Sequence, residues 1–401
     1  MNQPDFDIAI AGGGMVGASL ALALRNSGHR IALIEPVAPG QPAQPSYDDR
    51  GIALSLASAR VLQHVGIWDP VRRSATPIRH VHVSEQSRFG CVRMDAARLG
   101  TEALGYVVIA RELGGALWDC VRAAGGITAL CPESVTHMEQ RADGVLVQCS
   151  GSGPLHCRLL VVADGVESGL RAQLGIDVAR HDYQQTAIVA NVTVAQPHAG
   201  TAYERFGSTG PLALLPLGQQ RMVAVNCVAG PAAPAWLALP EAEYCEQLDQ
   251  RLGGRLGGVV QCGARRSYPL QRVLPDRQIS GRAVLLGSAA ANIHPNGAQG
   301  FNLALRDVAA LAESLSAGAG TDPGAAAVLT AFAEARREDR ERVAGFSHGL
   351  AQAYASDSAL LGGLRQAGML LTDLLPPVKR ELMLFGAGLR GRQPACVRSA
   401  A

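Results

Sequence analysis

The sequence predicts an α/β fold: a parallel-sheet body of the nucleotide-binding type, interrupted by a mostly antiparallel sheet and followed by helices. Three observations carry this. Between Phe6 and Glu35 an apolar run, a glycine cluster, a helix-periodic segment and a second apolar run follow one another. Far downstream, Ala283–Leu286 returns as a buried-strand pattern and leads into a second glycine-rich turn. Between Asp182 and Ser267 the texture changes to alternating apolar and polar residues.

The run Ile8–Ala11 is short enough for one buried parallel strand. Gly12, Gly13, Gly14 and Gly17 behind it complete G-x-G-x-x-G; helix-periodic residues span Val16–Leu24, and Gly28 offers a stop. A second run, Ile31–Ile34, ends on Glu35. Strand, glycines, helix, strand and acid in this order are the setting a dinucleotide fingerprint requires. The glycines let the backbone turn tightly and approach a pyrophosphate. The helix N-terminus offers unpaired N–H groups and the positive end of its dipole, and Glu35 is placed to hold ribose hydroxyls. The motif alone does not choose between NAD and FAD.

Residues 38–49 (APGQPAQPSYDD) read as a loop, leading to Arg50 and then a helical stretch from Ser58 to Val65. An arginine there is suited equally to phosphates or the flavin edge and to a solvated surface. His80–Ser84 and Gly90–Met94 alternate like short strands, and 112–124 is an amphipathic helix with Arg111 just ahead of it. Strands follow at Ile127–Leu130 and Ser134–Met138, then a hairpin at Asp143-Gly144 and an apolar strand, His156–Asp164, ending in Asp164-Gly165. In the alternating region one helix, Glu241–Arg251, interrupts the strands. Helices are expected from Asn302 to about residue 346 and over 350–390, broken at Pro376-Pro377, with 318–324 a short loop.

Composition narrows the class. The chain is 48% hydrophobic and 17% charged with a net charge of +2, which argues for a globular protein and against a general nucleic-acid binder. Nine scattered cysteines without a C-x-x-C pair suggest neither a zinc ligand set nor a disulfide framework; no metal is expected, and a reducing cytoplasm suits them. No basic leader and no run of eighteen apolar residues is seen, so a cytoplasmic protein is expected.

Two further stretches gain weight beside the fingerprint. Asp164-Gly165 with Ser168 and Arg171 gives A-D-G-x-x-S-x-x-R, and Gly287–Asp307 reads G-x-A-A-x-x-x-x-P-x-x-x-Q-G-x-N-x-x-x-x-D. Together these resemble the class A flavoprotein aromatic hydroxylases, single-component FAD monooxygenases, over almost the whole chain. Residues 203–217 (YERFGSTGPLALLPL) and 294–308 (HPNGAQGFNLALRDV) resemble the ubiquinone-biosynthesis hydroxylases within that class, its methoxyphenol-hydroxylase branch most of all.

The resemblance implies an FAD-binding Rossmann-like domain of the aromatic hydroxylase (glutathione-reductase-like) type, spanning 1–73, 97–181 and 268–349. It implies a substrate-binding sheet from 74–96 and 182–267, and a C-terminal helical segment, 350–401. The activity it implies is hydroxylation of the ring of a polyprenylated phenol, with FAD as cofactor, NAD(P)H and O2 as co-substrates and a flavin hydroperoxide as oxidant. Gly12, Gly13, Gly14 and Gly17 would meet the FAD pyrophosphate and Glu35 the adenosine ribose. Arg111 would touch the ribityl–phosphate region, Val135 the adenine and Arg50 the flavin ring. Asp164 and Gly165 would bridge FAD and the NAD(P)H path, and Gly287 and Ser288 would meet the ribityl chain. Gln299, Gly300 and Asn302 would open a helix aimed at the flavin pyrimidine edge, where a helix N-terminus stabilises the reduced ring's negative charge. His294 and Pro295 are the residues expected over the reacting face, His294 as a proton relay, with a structural histidine on the loop as the reading the pattern favours against it.

Two positions depart from the family. Ser288 stands where most relatives have aspartate, and serine still hydrogen-bonds a hydroxyl. Gly297-Ala298 inverts the relatives' Ala-Gly, and an alanine held at positive φ costs about 1–2 kcal/mol. A non-catalytic flavin- or lipid-binding subunit of a quinone-biosynthesis assembly, and a sister hydroxylase acting at another ring carbon, are the competing readings. Finally, 359–401 combines many leucines with Arg365, Lys379, Arg380, Arg390, Arg392 and Arg398 against only Asp373 and Glu381. Apolar and basic together is the pattern of a helix lying on an anionic membrane, so peripheral lipid contact at the inner face is expected, beside a ubiquinone-biosynthesis protein complex as partner.

Overall fold

A computed structural model describes residues 4–41, 49–317, 321–355 and 358–398. Most of the 38–49 loop, part of the 318–324 loop and the last three residues of the C-terminal segment lie outside the described residues.

Parallel pairing sets the frame. Ala283–Leu285, Gly153–Val162, Phe6–Ala11, Ile31–Ile34 and Ile127–Leu130 lie side by side in that order, all parallel. Ile279–Ser280 and the hairpin Val135–Gln140/Val145–Cys149 add antiparallel strands to it. Parallel strands need crossovers that cover both faces, which is why these strands are continuous apolar runs. Ile8, Ile10 and Leu33 face one layer, made by the helices Met15–Leu24, Ala110–Ala123 and Gln299–Ala317. Ala9, Ala11 and Ile34, with Leu285 of the same sheet, face Leu170 and Ile176 on the other. The helix Met15–Leu24 carries no charge and is buried nearly all round, as a helix trapped between a sheet and its neighbours must be.

The second sheet runs Val259–Cys262, Val178–Val194, Arg221–Ala229, Leu212–Leu217, Thr201–Phe206, His80–Glu85, Cys91–Asp95, with Arg266–Pro275 also paired to the long strand Val178–Val194. Every pairing is antiparallel except Thr201–Phe206 with His80–Glu85. Its strands reach from Val178 to Pro275, a few residues beyond the expected limits 182 and 267 on either side. A small third sheet, Gly51–Ser55, Gly105–Ile109 and Thr76–Ile78, joins the two bodies. It is the one sheet that residue alternation does not announce.

The C-terminal helices are Ala326–Ala355, Ala359–Leu374 and Pro376–Gly386. Pro376 opens the last of them, where its missing N–H is no loss, so the double proline starts a helix as much as it ends one. Behind the site, the helices Gln299–Ala317 and Ala326–Ala355 are joined by an ion network buried almost completely. Arg336 reaches Asp307 at 2.6 Å and Asp339 at 2.5 Å, and Arg306 reaches Asp339 at 2.9 Å. Asp307 is the last residue of the third motif, so its place in that motif is structural.

Candidate cofactor and substrate cavity

The glycine loop closes by contact. A Cβ on Gly17 would stand 1.9 Å from the carbonyl oxygen of Gly12, and one on Gly12, at φ +108°, would stand 2.3 Å from that of Ala163. One on Gly13 would strike Glu35 and Trp118 at 2.7 Å. The loop is held from outside by the Trp118 indole, which donates to the Gly13 carbonyl at 2.9 Å. The buried Glu35 carboxylate accepts from Gly13 N–H at 2.6 Å and Val37 N–H at 3.0 Å. Gly14 differs: at φ −60°, ψ −178° its backbone suits any residue, and it lines the cavity directly.

That cavity has a volume of about 1520 Å3. It exceeds the roughly 300–1,000 Å3 of a single small-molecule site, so it has room for a cofactor and a substrate together. One end is walled by Gly12, Gly14, Glu35 and Val135, the middle by Arg50, Asp164, Gly165, Ser288, Pro295, Gln299, Gly300 and Asn302, and the far end by the second sheet. Arg50 stacks over the Tyr268 ring at 5.3 Å. Asp164 accepts from Leu170 N–H at 3.4 Å, and burial pushes its carboxyl above the usual range. Arg171, buried below it, donates to Val166 O at 2.9 Å and Ala289 O at 3.1 Å and so clamps the Asp-Gly turn to the Gly287 turn. Gly287 itself is at φ +64°, set behind the wall against Val16.

Three sequence expectations are changed. His294 does not face the cavity. It is 1% exposed, its Nε2 lies 3.2 Å from Gln185 Oε1, its Nδ1 accepts from Asn296 N–H at 3.3 Å, and its ring meets Tyr183 edge-on. Burial lowers its pKa to about 4, and its contacts set it under the Pro295 loop instead of over the reacting face. Arg111 is on the surface, paired with Asp49 at 2.5 Å and away from the cavity wall. Lys379, expected as a surface cation, is buried and paired with Asp373 at 2.7 Å. Asn302 is on the wall, but its amide is committed to protein backbone: it donates to Ala53 O and Ala298 O and accepts from Ser55 N–H. Its work is to fasten the small third sheet to the start of the helix Gln299–Ala317.

The residues present fit a flavin dinucleotide. No side chain caps the helix Met15–Leu24, whose N-terminus faces the glycine loop. In the middle of the wall, among the described residues, buried Gln299 keeps its Oε1, and Asn296 both its amide atoms, without a protein partner. Buried amides left so are costly unless a ligand meets them. Between these two residues, Gly297 is at φ +64° and Ala298 at φ +51°. Ala298→Gly is therefore expected to relieve strain in the cavity wall, tightening FAD binding by up to about tenfold. Fluorescence titration of the apoprotein with FAD reads this; an unchanged affinity means that the strain at Ala298 is the same with and without the cofactor.

Sequence reasoning missed Glu204. It stands on the strand Thr201–Phe206, lines the cavity, and accepts from Gly297 N–H at 3.4 Å; burial raises its pKa to about 7.

Comparison with known proteins agrees with this geometry. Residues 5–347 match the family model described as FAD binding domain. The chain is similar to ubiquinone hydroxylase UbiL of Rhodospirillum rubrum, 34% identical with 95% of this chain and 89% of the relative covered. It is also similar to 3-demethoxyubiquinol 3-hydroxylase of Escherichia coli, 29% identical over 97% of this chain and all of the relative. In fold it resembles p-nitrophenol 4-monooxygenase PnpA of Pseudomonas putida, with a TM-score of 0.79 at 20% identity and 96% and 98% of the two chains covered.

Proposed function

Because the chain belongs to the FAD-binding-domain family and is an FAD-dependent aromatic monooxygenase using NAD(P)H, we propose that it hydroxylates the ring of a polyprenylated phenol in ubiquinone biosynthesis. One observation carries this reading: a single cavity runs from the glycine loop to an apolar floor on the second sheet, large enough for a cofactor, a ring and the first part of a prenyl chain. In this reading Gly12 and Gly14 receive the pyrophosphate, Glu35 the ribose and Val135 the adenine. Ser288 meets the ribityl chain, while Arg50, Gln299 and Gly300 meet the ring system; Asp164 and Gly165 lie toward the NAD(P)H path. Bound FAD, once reduced, supplies electrophilic oxygen from O2. The protein's part is to orient the phenol and keep the cavity dry. Residues 1–73, 97–181 and 268–349 form the cofactor body in this proposal, with the sheet strands and 350–401 enclosing the substrate. The test is complementation of strains blocked at each ring hydroxylation in turn, with the quinone intermediates identified. Rescue of one strain names the carbon, and rescue of none defeats the proposal. The strained Ala298 favours one other reading, a non-catalytic flavin-binding subunit; a purified protein whose yellow colour is bleached by NAD(P)H and restored by air excludes it.

A prenylated substrate has to leave a lipid phase, and we infer that the helix Ala359–Leu374 meets it there. No helix among the described residues is long and apolar enough to cross a membrane. Yet Leu360 and Leu374 are 75% and 72% exposed, Leu364 and Leu371 lie exposed at helical spacing between them, and the neighbouring loop, held by a Gly90 N–H to Gln366 bond, exposes Phe89 at 79% beside Arg88. With Lys379 and Arg365 engaged in ion pairs, the contact rests on apolar area more than on charge. The intact protein is expected to float with anionic liposomes in low salt, and Leu364→Glu/Leu371→Glu to stay at the bottom. An intact protein that does not float defeats the inference.

A further inference from the structure

The face of the second sheet that floors the cavity is apolar by design of its alternation. Val81, Val83, Ala202, Ala213, Leu215 and Val225 all point into it. Glu204, between Ala202 and Phe206 on the strand Thr201–Phe206, puts a carboxyl group on that face. A carboxylate on such a wall is unfavourable unless something is there to meet it. Among the described residues its protein partner is one long contact, 3.4 Å from Gly297 N–H, at the turn where the Pro295–Ala298 loop closes over the cavity. The described groups around it bring no countercharge. Val83 and Ala213 flank it on the neighbouring strands. Cys227 and Tyr354 face it from the strand Arg221–Ala229 and the helix Ala326–Ala355, and burial pushes both up to about 12, so both are neutral. Arg365, from the next helix, is engaged with Glu85 at 2.8 Å and lies over the Tyr354 ring at 5.1 Å.

We propose that Glu204 is the catalytic base of this site, taking the proton of the substrate's phenolic hydroxyl as its ring is oxygenated. The assignment rests on the phenol reading above. The phenol O–H bond breaks and its proton moves to a Glu204 carboxylate oxygen. The electron pair enters the ring, which forms a new C–O bond with electrophilic oxygen derived from O2, two electrons coming from NAD(P)H through the flavin. The second oxygen atom leaves as water, to which Glu204 returns its proton, and the hydrogen lost from the ring carbon on rearomatisation restores the first hydroxyl. A carboxyl that burial raises to about 7 is suited to taking this proton and giving it back.

The test uses the FAD-loaded protein and two probes, 2-hexylphenol and its methyl ether 2-hexylanisole, with binding read from perturbation of the flavin absorbance. The phenol stays neutral well above pH 8, so a pH effect on its affinity reports the protein. Phenol affinity is expected to rise close to tenfold between about pH 6 and about pH 8, as Glu204 ionises and becomes a charge-assisted acceptor, while anisole affinity stays level. In Glu204→Gln the phenol profile is expected to flatten and turnover to fall by about 10²–10⁴-fold, with anisole binding retained and Glu204→Asp recovering part of the loss. A phenol profile unchanged in Glu204→Gln, or equal losses for both probes, overturns the assignment and leaves the monooxygenase reading standing. Failure of both probes to bind the native holoprotein overturns the phenol reading and the assignment with it.

Discussion

Replacing Arg336 by methionine is expected to destabilise the protein by about 3–5 kcal/mol. The guanidinium is 2% exposed and neutralises two carboxylates at once, Asp307 at 2.6 Å and Asp339 at 2.5 Å. Without it, Asp307, itself 2% exposed, is left as a charge in the interior with no ion-pair partner at contact distance. The penalty is that of an uncompensated charge and not the worth of the pair, so Arg336→Met/Asp307→Leu is expected to recover most of it. Urea unfolding of the two variants and the parent checks this. A single variant within about 1 kcal/mol of the parent would show that Arg306 or Arg340 takes over the pairing.

Gly14→Val is expected to lower FAD affinity at least about 100-fold while leaving the apoprotein folded. The distinction from its neighbours is geometric. Valine at Gly12 or Gly17 meets protein backbone at 2.3 or 1.9 Å and would damage the fold itself. At Gly14 the backbone is ordinary and the residue lines the cavity, so the loss is expected to fall on the ligand. Far-ultraviolet circular dichroism and FAD titration separate the two effects. A Gly14→Val protein purified with full FAD content would remove the pyrophosphate from this loop.

How far the sequence spoke depends on how local the physics is. The order of strand, glycines, helix and strand depends on contacts within thirty residues, and it is legible from Phe6 to Glu35. Asp164-Gly165 and the Gly287 turn are legible too, because tight turns demand particular residue types. Which side of a wall a histidine takes is not a local property. His294 sits beside Pro295, yet the turn sends one to Gln185 and Tyr183 and the other to the cavity. Glu204 was hidden for the same reason in reverse. In an alternating strand a lone glutamate reads as a solvent-facing residue, and only the pairing of Thr201–Phe206 between His80–Glu85 and Leu212–Leu217 turns that face inward. The partner of Asp307 was equally out of reach, since Arg336 is one of several arginines on a helix whose neighbours the sequence does not name.

The strand order of the parallel sheet has a consequence for the chain while it is being made. Phe6–Ala11 leaves the ribosome early, but Ala283–Leu285, which pairs with Gly153–Val162, and the helix Gln299–Ala317, which packs on Met15–Leu24, are translated only after the whole second sheet. At about 5–20 residues per second the glycine loop waits roughly a quarter of a minute to a minute for its missing wall, with its apolar strands uncovered and open to chaperones. Cofactor capture is thus postponed until nearly all of the message has been read. A product released before Ala283 carries the fingerprint but not the middle wall of Ser288, Gln299 and Gly300, so flavin retention doubles as a check that translation ran past that wall.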